Sequence, residues 1–221
     1  MNKLFITLCA ALLPLCANAQ VDELFQEAKP KGKETVTIEE MKRNLYGNIP
    51  TENGKIVLRY TCETPNMTKD EAYALLGYWA EKRFQADLKR AEWGEKNFFH
   101  NLPYAAVKMA SKKDGNIKCQ GAEELIVTNK TFVKNWSEFY YTLNISVTDN
   151  RIDAVVTNLY YITDAEGDRA KLTGEEFISN EAIQNGKGRF VRNATKYRKE
   201  TIDLFKSLFS EIKVVASSKK K

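Results

Sequence analysis

The stretch SEFYYTLNISVTDNRIDAVVTNLYY, residues 137–161, decides the fold: two runs rich in aromatic and β-branched residues meet at Asp149-Asn150. Such residues suit a pleated, half-buried surface, and an Asp-Asn pair tolerates the positive φ that two-residue hairpin turns require. With the turn there, Thr148 stands opposite Arg151 and each further pairing is counted outwards. Strict alternation puts Phe139, Tyr141, Leu143, Ile145 and Val147 on one face with Ile152, Ala154, Val156 and Tyr160. That face is the expected core. The opposite face takes Thr142, Asn144, Ser146, Asp153 and Thr157, as a solvated face would, but also Tyr140, Val155, Leu159 and Tyr161, clustered at the open end of the hairpin.

Upstream, residues 54–63 alternate, with Ile56, Leu58, Tyr60 and Cys62 on one side, predicting a first strand that Pro65 ends. Thr68-Lys69-Asp70-Glu71 has the spacing of a capping box and predicts a helix with Ala72, Leu75, Leu76, Trp79 and Phe84 on its buried stripe. Residues 90–103 lose the pattern and read as a loop holding His100, the single histidine. A second strand over 104–112, with Val107 and Met109 inward, leads through a turn at 113–116 into a third strand over 117–127. On that strand Ile117, Cys119, Gly121, Leu125 and Val127 share a side, and Gly121 marks a bulge or bend.

Downstream, residues 163–168 read as a loop, Thr173-Gly174-Glu175-Glu176 as a second capping box, and residues 185–188 as a break. Tyr197, Thr201, Leu204, Phe205, Leu208, Phe209 and Ile212 then recur at spacings of three and four, predicting a long helix with one buried stripe. The order is strand, helix, four strands, helix. That is an α+β plan, an antiparallel sheet with both helices packed on one face.

Residues 1–20 read MNKLFITLCAALLPLCANAQ: a basic start, an apolar run and Ala17-Asn18-Ala19, the pattern of a secretory signal peptide cleaved after Ala19. The apolar run is too short for a membrane span, and Cys16 follows Leu15 rather than the small residue that lipoprotein processing favours. The expected parts are thus a leader over 1–19, an extension over 20–53 with a short helix from Thr37 to Leu45, a domain over 54–215 and a basic tail over 216–221. Loss of Lys3 with the leader leaves 33 basic against 29 acidic residues, with the signs interspersed. A nucleic-acid footprint would gather its Lys and Arg on one face, so no nucleic-acid partner is expected.

Chemistry is sparse. Beyond the leader, one histidine and two cysteines far apart do not make a zinc site, and no nucleophile elbow or phosphate loop occurs, so neither metal nor cofactor is expected. The pairs Glu123-Glu124 and Glu175-Glu176 are weak glycosidase candidates, since adjacent strand residues point to opposite faces and acids are ordinary in a helix's first turn. Cys62 and Cys119 fall on inward strand faces; if the later strands form a simple meander with the first strand beside the fifth, they are too distant to bridge, so buried thiols are preferred, with a disulfide as the alternative. The basic run Arg189, Arg192, Lys196, Arg198 and Lys199 reads as a solvated, salt-bridged approach to the last helix, with an anionic partner as the alternative.

The segment TDNRIDAVVTNLYYITDA, residues 148–165, with EEFISNEAIQNGKGRFVRNATKYRKETIDLFKSLF, residues 175–209, resembles a family of exported bacterial proteins whose shared domain has no known function and a TATA-binding-protein-like fold. The approach to the last helix and KETIDLF, residues 199–205, carry the likeness most strongly. It implies the same strand and helix order and supplies no catalytic residue. The expected function is therefore an exported, non-catalytic binding or interaction module for a protein, peptide or small-molecule ligand; the alternatives are a hydrolase of exported glycans or peptides, or an envelope-associated structural protein. Tyr140, Val155, Leu159 and Tyr161 are the candidate binding residues, unless Leu24, Phe25, Met41 and Leu45 of the extension fold over them.

Overall fold

A computed structural model describes residues 49–65, 67–91, 98–130, 133–165, 168–184 and 191–217. The leader, the extension up to residue 48, the break at 185–188, Arg189 and the end of the basic tail lie outside them. The strands are β1 (Thr51–Glu52), β2 (Lys55–Ile56), β3 (Leu58–Glu63), β4 (Lys89–Ala91), β5 (Phe98–His100), β6 (Ala106–Ser111), β7 (Asn116–Lys130), β8 (Val133–Thr148), β9 (Arg151–Ala165) and β10 (Asp168–Thr173). The helices are α1 (Lys69–Arg83), α2 (Gly174–Ile178) and α3 (Arg192–Ser217). The main sheet is antiparallel, in the order β10-β9-β8-β7-β6. The free edge of β9 is shared: β3 pairs with its first half and β10 with its second.

The hairpin turns where the sequence places it. Asn150 takes φ 62° and Thr148 pairs with Arg151. The turn also grips the approach to α1, because the Asn150 N–H donates to the Met67 carbonyl and the Lys69 N–H donates to Asp149 Oδ1 at 2.8 Å. Both capping boxes form, Thr68 with Glu71 and Thr173 with Glu176. Thr68→Ala is therefore expected to cost about 1 kcal/mol in urea unfolding, the usual cost of losing such a cap.

The two long helices close over one face of the sheet. Tyr197, Thr201, Leu204, Phe205, Leu208, Phe209 and Ile212 of α3 are all buried, as the periodicity predicts. Tyr60 stacks on Phe209 at 5.2 Å, and Phe205 meets Tyr141 edge-on at 5.0 Å. Each such ring removes a large apolar area from water, which stabilises the fold by about 1.5–3 kcal/mol per side chain. Gly121 is not a bulge. It pairs with Tyr141, and a Cβ there would stand 2.1 Å from the Tyr141 ring, so the glycine makes room for the ring. The register shift of β7 comes later, between Ile126 and Thr128.

Several expectations change. Residues 168–173 are an edge strand; a run as polar as DRAKLT gives no apolar alternation, but its backbone pairs with the outer half of β9. Residues 89–91 and 98–100 pair as a short hairpin within the expected loop. Met109 is 52% exposed, because a register shift between Val107 and Met109 turns it outward. Arg198 is fully buried rather than solvated, and donates to the Ile178 carbonyl and to Asn180 Oδ1 at 3.0 Å.

The largest change is on β9. Between the pairs Thr142–Thr157 and Tyr140–Tyr160, β8 has one residue, Tyr141, and β9 has two, Asn158 and Leu159. Asn158 takes φ 56°, a left-handed conformation that asparagine tolerates, and is the extra residue of a bulge. Beyond it the alternation changes phase. Leu159 and Tyr161, expected outside, are buried in the core, and Tyr160, expected inside, stands outside opposite Tyr140.

Cys62 and Cys119 are both free and buried. Strands β9 and β8 lie between β3 and β7, which puts the two cysteines three strand spacings apart, roughly 14 Å, too far for a disulfide. Burial pushes the Cys119 thiol up from its usual 9.0 to about 12. The folded state thus favours the neutral thiol, and its contribution is complete below pH 9 and is lost as pH rises towards 12. Stability is expected to fall over that range in urea unfolding, less steeply in Cys119→Ala.

Candidate functional site

The outer face of the sheet, opposite the helices, carries a stack of side chains running across the strands. Tyr140 on β8 and Tyr160 on β9 are cross-strand partners whose rings stack at 4.7 Å with 6° between their planes. Tyr104, just before β6, leans on Tyr140 at 6.3 Å, and Lys171 on β10 holds its Nζ 4.1 Å from the centre of the Tyr160 ring. Tyr140 is the buried middle of the stack, packed with Ala105 and Ala122, and Leu102, Tyr160 and Ile162 close around it. Of the residues expected on this face, Tyr140 is here. Val155 lies further along the same face, between Arg59 and Asn144, outside the cavity described next. Leu159 and Tyr161 are inside.

Beside the stack opens a cavity of about 670 Å³, the size of a small-ligand site. Tyr104, Tyr160, Leu102 and Ile162 give it apolar walls. Its polar groups are Lys108, Gln120, Glu138 and Arg169. Two extra residues bring this set together. The bulge at Asn158 turns Tyr160 outward, and the register shift on β6 makes Lys108 the unpaired residue of its strand.

The polar groups are partly committed. The Tyr140 hydroxyl donates to Glu138 Oε2 at 2.8 Å, and Arg169 donates to Glu138 Oε1. Burial, and then the Glu138 carboxylate, hold the Tyr140 phenol well above the ordinary tyrosine range. The Gln120 amide donates to the carbonyls of Gly121 and Tyr141 at 3.0 and 2.9 Å. Its side-chain oxygen is then what it presents to a ligand. Glu124 stands opposite Glu138 on the same face and lies 3.3 Å from His100 Nδ1. Both outer carboxylates are thus tied to a basic side chain.

A second polar cluster sits under the helices and is closed. Glu123 points inward, opposite to Glu124, and its Oε1 receives Arg83 Nη2 at 3.0 Å and the Tyr141 hydroxyl at 2.5 Å. Asn101 accepts from Arg83 and donates to the carbonyls of Arg83 and Gln85, while Glu211 lies 3.5 Å from Arg83 Nε. Burial alone would weaken the charge on Arg83, but Glu123, Tyr141 and Glu211 reverse that and hold it protonated. The cluster ties α1, β7, β8 and α3 together, and none of its residues lines the cavity on the outer face. Among the described residues no group of three His, Cys, Asp or Glu is placed to hold a metal, and no helix is long and apolar enough to cross a membrane.

Residues 59–162 match the family described as a domain of unknown function (DUF4468) with TBP-like fold. Two crystal structures are similar to this chain. A DUF4468 family protein from Bacteroides ovatus is 17% identical with a TM-score of 0.64, the likeness covering 81% of this chain and 96% of that one. A TBP-like protein from Parabacteroides distasonis is 19% identical with a TM-score of 0.59, over 78% and 99% of the two chains. At such identities the likeness establishes the fold and not an activity. No curated protein matches the sequence.

Proposed function

Because residues 59–162 carry a TBP-like domain of unknown function, and the sheet face away from the helices holds a ligand-sized cavity, we propose that the protein is a non-catalytic binding module that takes its ligand on that face. The observation that supports this most is the Tyr104–Tyr140–Tyr160 stack. A sheet face with no partner would gain more from polar side chains, yet here two strand irregularities bring aromatic and charged groups to one cavity. The leader pattern over residues 1–19 supports export, and a mature chain beginning at Gln20 is the expected result of N-terminal sequencing.

Thermal-shift screening of the full chain against glycans, lipids and peptides, with hydrolysis assays alongside, tests this reading. A ligand that raises the melting temperature of the wild type should lose that effect in Tyr104→Ala and keep it in Trp136→Ala, which removes an exposed ring elsewhere on the sheet. Equal binding by both variants would move the site off this face. Turnover of a glycan or peptide would contradict the non-catalytic reading.

A further inference from the structure

The charges around the cavity do not balance. Glu138 is its only lining carboxylate among the described residues, and Arg169 already pairs with it. Lys108, on the strand opposite, has no ion pair among the described residues, and Lys171 at the far end of the stack is held over a ring rather than a carboxylate. The cavity therefore has, among the described residues, one wall ammonium with no carboxylate paired to it. Tyr104, 65% exposed, supplies a ring beside it, and the Gln120 side-chain oxygen supplies an acceptor.

We propose that this cavity binds a small, ring-bearing anion: its carboxylate is held by Lys108, its ring lies against Tyr104, and a hydroxyl or N–H donates to Gln120. The claim deepens the binding reading above and rests on it. An anion entering here meets a cation that costs nothing to release from another partner, whereas a cationic ligand would face Lys108 and Arg169 together. The arrangement of one charged anchor, one aromatic wall and one fixed acceptor is also what orients a ligand rather than merely attracting it.

The test uses four probes on the full chain: glucuronate and glucose, benzoate and benzamide. Each pair keeps a ring and changes the charge, and the two pairs separate an acidic sugar from an aromatic acid. Binding is followed by amide chemical shifts, which also report whether the residues lining the cavity are those perturbed. The expected result is that at least one acid binds about tenfold more tightly than its neutral partner, more weakly as salt rises, and that Lys108→Met removes the difference while Lys108→Glu reverses it. Lys108 is exposed, so neither variant should disturb folding. Acid and neutral probes binding alike, or a preference that survives Lys108→Met, overturns the anion claim and leaves the binding face standing. No shift at the cavity with any of the four probes overturns the anion claim as well; in that case the thermal-shift screen decides separately whether the face binds anything.

Discussion

Tyr161→Ala is expected to lower the unfolding free energy by about 3–5 kcal/mol, and Tyr160→Ala, one residue away, by only about 1–2 kcal/mol. The difference follows from where the bulge sends them. Tyr161 is fully buried: it stacks on Phe139 at 4.8 Å, meets Phe177 and Tyr197 edge-on, and its hydroxyl shares a hydrogen bond with Thr201 Oγ1 at 2.8 Å. Removing that ring empties a space that β9 and α3 cannot easily close. Tyr160 loses a stacked partner and a cation contact on a face open to water. Urea unfolding of the two variants measures both values. Near-equal losses would mean that the two tyrosines are not sorted as described.

The second large effect concerns the buried ion pair. Glu123→Ala should cost about 3–5 kcal/mol, because it leaves the Arg83 guanidinium, whose side chain is 3% exposed, without its nearest counter-charge. Arg83→Ala should cost a similar amount for the converse reason. The double variant Arg83→Met with Glu123→Leu is expected to recover much of the loss, since well-packed apolar groups avoid the desolvation that a buried pair must offset. A double variant no better than either single one would show that Asn101, Tyr141 and Glu211, which share the network, depend on it more than the pair alone explains.

Much of the fold was legible because its signals are local. Asp149-Asn150 mark the turn, with Asn150 taking its positive φ, the two Thr-x-x-Glu boxes start helices, and α3 shows its stripe over its length. The candidate site was only half legible. Counting alternately from the turn is correct as far as Thr157 and fails at Asn158, because one residue absorbed by a bulge shifts all that follow. The signal was present, an asparagine within a β-branched and aromatic run, but nothing in the local pattern separates a bulge from an ordinary polar position facing water. Lys108 was missed for the same reason, since the β6 shift has no sequence marker at all. Glu123 was read only as half of a weak carboxylate pair, with no buried role, because its partner, Arg83, is forty residues away and enters from a helix.

The central claim is that Asn158 is an extra residue, so that Leu159 faces the core and Tyr160 faces out. Thiol labelling of the chain beginning at Gln20, which lacks Cys9 and Cys16, tests it most directly, because its two native thiols, Cys62 and Cys119, are buried and give a silent background. In single variants Leu159→Cys and Tyr160→Cys, each shown to be folded, a brief maleimide pulse should label the thiol at 160 and spare the one at 159 until the protein unfolds. Rapid labelling at 159 with protection at 160 would restore unbroken alternation along β9 and contradict the account.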